Sequence, residues 1–268
     1  MASFICTTCG VGYAETEVPR EVCLICADER QYPNANGQGW TTLEELQADH
    51  VNEWREVEPG LTGLASKPQV AIGQRALIIE RSDGGVMWDC TPVITDEALA
   101  MLEARGGVRA IAISHPHFYS TMVDWSRALG GVPIYLHADN RDYVMRPDPA
   151  IEYWGGETLE VAPGITLIRT GGHFAGSTVL HWSDGADGRG VLLTGDSIMV
   201  VPDTRWVSFM YSYPNLIPLN ARAVDRIVRA VKPFAYDRIY SGWWDRVVTQ
   251  DAKAAVQRSA ERYIAAIR

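Results

Sequence analysis

The chain has 268 residues, of which 47% are hydrophobic and 21% charged, and a formal net charge of −9 at pH 7. This composition is typical of a globular protein with one large domain and a small appendage. The acidic residues are spread along the chain, with neither a basic patch nor an apolar run of membrane length, so the sequence predicts no nucleic-acid partner and no membrane partner.

The cysteine content and the first residues indicate the cellular compartment. The stretch MASFICTTCG lacks the basic and apolar regions of a secretory signal. Five cysteines, four of them in two CxxC pairs, suit a reducing compartment and a metal site better than a disulfide framework. We therefore expect a cytoplasmic protein. The oligomeric state does not follow from the sequence, and a homodimer stays open.

Residues 1–40 contain both CxxC pairs, CTTC and CLIC, and show almost no apolar periodicity. Such a segment cannot build a core of its own. Each CxxC pair directs two sulfurs at one ion, and Cys6, Cys9, Cys23 and Cys26 together offer the four thiolates of a closed tetrahedral site. We predict a structural zinc ion here, with iron as an alternative, and an architectural role, because the bound ion supplies folding free energy.

Residues 41–64 are predicted to form a helix followed by a linker. The helix TTLEELQADH has Thr42 as its N-cap, and Glu45 three residues later completes a capping box. The stretch EPGLTG, with one proline and two glycines, is interpreted as the linker to a larger domain at 65–268.

From residue 65 onward, strand and helix patterns alternate. The strands ALIIER and GVMWDC flank the hairpin signal SDGG, and the next helix has Thr95 as its N-cap. The second half shows strand and helix patterns of the same kind, with a helix capped by Asn220, a last strand and a C-terminal helix. We therefore predict an α/β layered fold in which catalytic groups lie on loops at strand ends.

Four polar residues follow such strands. His115 and His117, in SHPHFYS, come directly after the apolar run AIAI, and on an extended segment residues i and i+2 share a face, so both imidazoles can reach one ion. His173 follows a Gly-Gly turn, and Asp196 ends the apolar stretch VLLTGD. Two histidines at this spacing are common by chance, so the metal hypothesis also depends on the two downstream residues.

The order of these motifs resembles the metallo-β-lactamase superfamily of metal-dependent hydrolases: an aspartate in WDCTP, an HxH motif, a GGH turn and a TGD after a strand. The resemblance covers about residues 65–268 and implies an αββα four-layer sandwich. It implies a first metal site formed by three histidines, His115, His117 and His173. Asp196 would be the carboxylate that bridges two ions in many members, and Asp89 would support the HxH loop. Residues 1–40 resemble a zinc ribbon or a short pair of rubredoxin knuckles.

Three positions depart from the pattern of the superfamily. Its first motif is HxHxDH, and here Tyr119 and Ser120 replace the aspartate and the last histidine. Near the C-terminus, YSGWWDR puts Trp243 where members usually carry a histidine. A neutral phenol and an indole are not plausible zinc ligands beside intact histidines. We therefore expect one ion where the superfamily often holds two.

This pattern predicts a mononuclear zinc hydrolase that activates water against a small ester, lactone, thioester or amide. Asp196 either completes the coordination or accepts the proton of the water, and Tyr119 is a candidate donor to a developing oxyanion. One alternative is a mononuclear non-haem iron oxygenase of the persulfide dioxygenase type, since two imidazoles and a carboxylate suit iron. The other is a non-catalytic binding protein in which Tyr119 and Trp243 only fill the second pocket.

The remaining candidates have structural explanations. His137 and His181 end or lie within strands and are interpreted as hydrogen-bonded structural histidines. Cys90 is interpreted as a small buried hydrophobic residue. A group of aromatic residues fits either a substrate pocket or the core: Trp206, Tyr211, Tyr213, Trp243 and Trp244.

Overall fold

The fold consists of two units, each built around one large sheet. The computed structural model describes all 268 residues. The first unit comprises Met1–Leu136 and Arg141–Tyr153, and the second comprises His137–Asn140 and Trp154–Arg268. None of the helices combines the length and the apolar character needed to cross a membrane.

Nine strands begin in the first unit. In chain order, β1 to β9 are Ile5–Cys6, Trp40–Thr41, Val51–Glu58, Leu61–Lys67, Arg75–Ile79, Gly85–Trp88, Val108–Ala112, Ile134–His137 and Ile151–Trp154. β1 and β2 pair with each other, and β3 to β9 form a seven-stranded sheet in chain order. β3 to β6 are antiparallel, whereas β7 is parallel to both β6 and β8. Every residue of β5 and β6 is buried, which explains why these strands read as continuous apolar runs.

The first unit contains three helices, α1 to α3: Leu43–Asp49, Asp96–Ala104 and Met122–Ala128. Two of the three, α1 and α2, begin where their caps were predicted. The Thr42 hydroxyl accepts from Glu45 N–H at 3.2 Å while Thr42 N–H donates to the Glu45 carboxylate at 3.0 Å. Thr95 likewise accepts from Ala98 N–H at 3.2 Å. The predicted capping box and N-cap are therefore confirmed, because both depend on residues close in sequence.

The region between α1 and residue 65 is a hairpin, so the predicted linker is wrong. β3 and β4 pair antiparallel from Val51 opposite Lys67 to Glu58 opposite Leu61. The stretch EPGLTG forms the turn and the start of β4, with Gly60 at φ 79°. β3, VNEWREVE, is an edge strand with only one fully buried residue. It therefore lacks the apolar alternation by which a strand is recognised.

The second unit contains the remaining ten strands. In chain order, β10 to β19 are Thr158–Ala162, Ile165–Arg169, Thr178–Trp182, Val191–Thr194, Met199–Val200, Val207–Ser208, Met210–Ser212, Ile217–Pro218, Arg238–Tyr240 and Val247–Val248. Six of them form a sheet in the order β10, β11, β12, β13, β18, β19, in which only β13 and β18 are parallel neighbours. β14 pairs with β15 and β16 with β17 as small hairpins.

Two long helices pack on the core of the second unit. They are α4, Ala221–Val231, and α5, Ala252–Ala266. Both contribute to one hydrophobic cluster that also contains Leu192 of β13 and Ile239 of β18. α4 begins after Asn220, whose side-chain oxygen accepts from Ala223 N–H at 3.0 Å, as the sequence predicted.

Substitutions at the N-cap of α4 test how much its hydrogen bond contributes to stability. We expect Asn220→Ala to lower the free energy of unfolding by about 1 kcal/mol, because the N–H of Ala223 loses its acceptor. The matched control is Asn220→Ser, which keeps an oxygen and should change stability by a few tenths of that amount. Urea denaturation measures both. Equal losses in the two variants would show that the hydrogen bond is not the source of the effect.

Candidate metal sites

The four cysteines of the first unit form one compact group. The Sγ atoms of Cys6 and Cys26 lie 3.7 Å apart, as do those of Cys9 and Cys23, and all four lie within 4.8 Å of one another. Sulfurs about 2.3 Å from a tetrahedral zinc ion lie about 3.8 Å apart, whereas a disulfide needs about 2.05 Å. The group therefore fits one metal ion held by both CxxC pairs.

Two tight turns produce this arrangement. Gly10 N–H donates to Cys6 O at 2.8 Å and Ala27 N–H donates to Cys23 O at 2.9 Å, so each CxxC pair folds back on itself. Gly10 has φ 78°, and a Cβ at this position would lie 2.8 Å from Pro92 Cγ. The first turn therefore needs a glycine directly after Cys9.

Hydrogen bonds to the sulfurs favour thiolates at two of the four positions. Gln38 Nε2 donates to Cys6 Sγ at 3.3 Å, and the Tyr13 hydroxyl donates to Cys23 Sγ at 3.2 Å. Hydrogen bonding, chiefly with Cys23, lowers the pKa of Cys6, and hydrogen bonding, chiefly with Cys26, lowers the pKa of Cys23 to about 7. Burial raises the pKa of Cys9. Hydrogen bonding, chiefly with Cys23, raises the pKa of Cys26. The surroundings thus favour the thiolate at Cys6 and Cys23 and the thiol at the other two positions, and a bound cation would favour all four thiolates.

The first unit also carries the two histidines of the HxH motif, on the loop after β7. Asp89, just after β6, accepts a hydrogen bond from Ser114 N–H at 2.8 Å, and Ser114 Oγ lies 2.9 Å from His115 Nδ1. The imidazole rings of His115 and His117 lie 5.1 Å apart. The supporting role that the resemblance implied for Asp89 thus has a direct physical basis, a hydrogen bond to the start of this loop.

The histidine loop is not extended throughout, contrary to the sequence interpretation. His115 is extended, with φ −169° and ψ 171°, but Pro116–Phe118 forms a 3₁₀ turn in which Phe118 N–H donates to His115 O at 3.0 Å. Proline favours the first position of such a turn because its φ is already restricted and it has no N–H to leave unpaired. His117 is therefore placed by this turn and not by strand alternation.

The second unit carries His173 and Asp196 at the ends of two strands. His173 follows Gly171 and Gly172, which have φ values of 65° and 84°. His173 Nδ1 lies 3.2 Å from Met210 O, and a carbonyl only accepts, so Nδ1 carries the hydrogen and Nε2 keeps its lone pair. Nε2 lies 3.7 Å from Asp196 Oδ2. This pair therefore presents one nitrogen and one oxygen to a cation.

Further contacts fix the backbone around His173 and Asp196. A Cβ added at Gly172 would lie 2.8 Å from Ile227 Cδ1, so the turn before His173 requires a glycine. The Tyr213 hydroxyl donates to the backbone carbonyl of Asp196 at 2.8 Å, and its ring centroid lies 5.8 Å from that of His173. Tyr213 thus restrains the backbone that carries the carboxylate.

The four predicted ligands are brought together in the structure. The ligand atoms of His115, His117, His173 and Asp196 all lie within 4.8 Å of one another, and none of these residues is more than 6% exposed. Ligands about 2.0–2.2 Å from a tetrahedral zinc ion lie about 3.3–3.6 Å apart, close to the distance between His173 and Asp196. Three imidazoles and one carboxylate are a usual donor set for zinc or iron. The residues present therefore fit one metal ion.

Three residues depart from the superfamily pattern: Tyr119, Ser120 and Trp243. Tyr119 is buried, and burial raises the pKa of its phenol, which stays protonated at neutral pH. Ser120 is also buried and has φ 47°. Trp243 is half-buried in the turn after β18, where its carbonyl accepts from Arg246 N–H at 3.3 Å. That a second ion is excluded stays a prediction.

The structural histidines were interpreted correctly. Nε2 of His137 lies 3.1 Å from Gly156 O, and Nε2 of His181 lies 2.7 Å from Ala235 O. Burial lowers the pKa of both imidazoles, which favours the neutral form. Cys90 is fully buried, and burial raises its pKa.

Sequence reasoning missed three supporting groups of the histidine site. They are the Ser114 hydroxyl, the Met210 carbonyl and the Tyr213 hydroxyl. A backbone carbonyl has no signal in a sequence. Tyr213 was noted only as one member of an aromatic group, and nothing in the sequence separates a pocket tyrosine from a core tyrosine.

The hydrogen bond from Ser114 to Asp89 can be tested through metal binding. We expect Asp89→Ala to weaken cobalt(II) binding by the histidine group about 10 to 100-fold, because a ligand-bearing loop loses its anchor. Asp89→Asn is the control: it keeps an oxygen acceptor, and asparagine tolerates the φ of 59° at this position. Titration followed by visible absorption measures both affinities. Unchanged binding in Asp89→Ala would exclude this anchoring role.

A relative of similar sequence covers the whole chain. The chain is 48% identical over 269 residues to the uncharacterized protein YmaE of Bacillus subtilis (strain 168), covering 100% of this chain and 97% of that protein. No protein-family model matches the chain.

Two solved structures show the fold. DIM-1 metallo-β-lactamase is 11% identical and superposes with a TM-score of 0.59 over 81% of this chain and 98% of that one. FIM-1 metallo-β-lactamase from Pseudomonas aeruginosa, in its mono-zinc form, is 15% identical. It superposes with a TM-score of 0.56 over 79% of this chain and 95% of that one. The predicted αββα sandwich with an N-terminal four-cysteine segment is confirmed. The chain therefore has the metallo-β-lactamase fold and belongs to the family that includes YmaE of Bacillus subtilis (strain 168).

Proposed function

We propose that the protein is a metal-dependent hydrolase with one zinc ion held by three histidines, which leave the fourth coordination position for water, and with Asp196 beside that position. The observation that carries the proposal is the buried group of three imidazoles and one carboxylate whose ligand atoms lie within 4.8 Å of one another. The existence of FIM-1 in a mono-zinc form supports it, because this fold then accommodates a single ion.

The chemistry divides between the ion and the residues around it. A zinc ion held by imidazoles supplies a Lewis acid that lowers the pKa of water from about 15.7 toward about 7. With three histidines as ligands, the fourth position would be left for water, and the Asp196 carboxylate would accept the proton of the attacking water. His173 keeps the required tautomer through Met210 O, and Tyr213 restrains the backbone of Asp196.

Tyr119 is the proposed donor to the substrate. Burial raises its pKa, so the phenol keeps its proton and can donate to an oxygen that gains negative charge. Esters, lactones, thioesters and amides all develop such an oxygen when water attacks their carbonyl carbon. We therefore propose a small molecule with one of these groups as the substrate.

The four-cysteine group has a different role in this proposal. Four thiolates close the coordination of a tetrahedral zinc ion and leave no position for a substrate, so we propose a structural ion there. Five cysteines without disulfides suit a reducing compartment, and the proposal includes a cytoplasmic location.

Element-specific metal analysis tests the core of the proposal. We expect two zinc ions per chain and one after His115→Ala, with loss of hydrolysis. At saturating zinc, Cys9→Ser should lose the ion of the cysteine group while the histidine group stays occupied. Turnover is measured on a panel of esters, lactones, thioesters and anilides.

Three outcomes would contradict the proposal in different ways. Iron in the histidine group together with oxygen consumption would favour an oxygenase. A full complement of zinc with no turnover of any substrate in the panel would favour a binding protein. A stoichiometry near three would show that a second ion binds beside the first.

The role of Tyr119 has a separate test. We expect Tyr119→Phe to lower kcat about 100-fold with unchanged metal content and KM, because only the donor to the developing charge is lost. Steady-state kinetics with the best substrate of the panel measure this. If kcat is unchanged, Tyr119 serves packing alone.

A further inference from the structure

The four-cysteine segment is hydrogen-bonded to the loop that follows the two histidines. Gly12 N–H donates to the backbone carbonyl of Ser120 at 2.9 Å. Gly12 lies three residues after Cys9, and Ser120 lies three residues after His117. A backbone bond within the first unit thus joins the surroundings of one ligand group to those of the other.

The N–H of Gly12 points away from its own strand partner. Gly12 forms an antiparallel bridge with Ile5, and the two flanking hydrogen bonds run from Cys6 N–H to Val11 O at 3.1 Å and from Tyr13 N–H to Phe4 O at 2.9 Å. Neither of these bonds uses the N–H of Gly12. The local fold of the cysteine segment therefore does not need this donor, and its partner is Ser120.

Ser120 adopts a backbone conformation that needs support. Its φ of 47° lies in the left-handed region, which residues with a side chain rarely adopt. It is 2% exposed and joins Tyr119 to α3. Such a conformation persists only where the surrounding structure holds it. The bond from Gly12 holds the carbonyl of this residue in one orientation.

A second contact fastens the segment to the start of α3. Arg146 donates to Ser3 Oγ at 2.9 Å and to Asp124 Oδ2 of α3 at 2.8 Å, and the arginine is only 7% exposed. Ala14 N–H donates to Met145 O at 3.2 Å. These contacts therefore attach the four-cysteine segment to the rest of the first unit at several points near the loop.

We infer that the four-cysteine segment is a positioning element for the histidine group. Through the bond from Gly12 to Ser120 it fixes the turn that follows His117, so tight metal binding by the histidines requires a folded, metal-loaded cysteine segment. The inference concerns metal affinity and stands whether or not the protein is a hydrolase.

A pair of substitutions at Gly12 tests the inference. Gly12→Pro removes the N–H and leaves the donors of both flanking bonds in place. Gly12→Ala is the matched control, since it keeps the N–H and its Cβ would lie 3.6 Å from Ser120 O, an ordinary contact. We expect zinc affinity of the histidine group to fall about 10-fold or more in Gly12→Pro and to stay within about twofold in Gly12→Ala.

The affinity is measured by chelator competition on the full chain with zinc in the four-cysteine group, and by the visible spectrum of cobalt(II) at the histidine group. Neither readout depends on turnover, so failure of the inference is distinguishable from failure of the proposed hydrolase. Equal affinities in the wild type and Gly12→Pro would overturn the inference.

A rescue experiment separates positioning from general destabilisation. Glycine adopts a positive φ without cost, so Ser120→Gly in the Gly12→Pro background should restore most of the lost affinity. Ser120→Ala also removes the hydroxyl but keeps Cβ, and it should restore none. Rescue by both, or by neither, contradicts the inference.

Cys26→Ser is a further variant, which tests the inference without a change at Gly12. It removes one thiolate from the cysteine group and should weaken zinc binding by the histidine group by a similar factor. Unchanged affinity in Cys26→Ser with an emptied cysteine group would overturn the inference even if Gly12→Pro does not fold.

Discussion

Three imidazoles and a carboxylate buried within 4.8 Å of one another are the constraint on which the rest of this structure depends. Polar groups that lose water in this way cost free energy unless hydrogen bonds or a cation compensate. The fold supplies the hydrogen bonds at the outer atoms: Met210 O on His173, the Ser114 hydroxyl at His115 and the Tyr213 hydroxyl on the backbone of Asp196. The ligand atoms within 4.8 Å of one another are the groups that a bound cation would compensate.

The two candidate ligand groups differ in their donor atoms and in how the chain brings those donors together. In the cysteine group all four donors are sulfurs from one short segment, so an ion there would organise a chain that has no core of its own. In the histidine group the donors come from three separate loops, each placed at the end of a buried strand by the sheets. The first group therefore suits a structural role and the second suits chemistry.

What the sequence could predict depended on how local the signal was. The caps at Thr42, Thr95 and Asn220 were found because a cap and its partner lie three residues apart. The ligand residues were found because their order matched a family pattern. β3 was missed because an edge strand carries no apolar alternation, and the 3₁₀ turn at Pro116–Phe118 was missed because strand periodicity was applied beyond its range. The Met210 carbonyl has no sequence signal at all.

The sequence of β3 is polar, which is why the strand was not predicted. The same polarity affects association between molecules. β3 is the first strand of its sheet, so no other strand of the sheet lies along its outer side. Its outward side chains include the ion pair of Arg55 with Glu53 at 2.6 Å, and the Arg105 guanidinium lies 5.5 Å from the ring centroid of Trp54. Charges along an exposed edge oppose strand addition by a neighbouring chain. Aggregation through a sheet continued across this edge is therefore disfavoured.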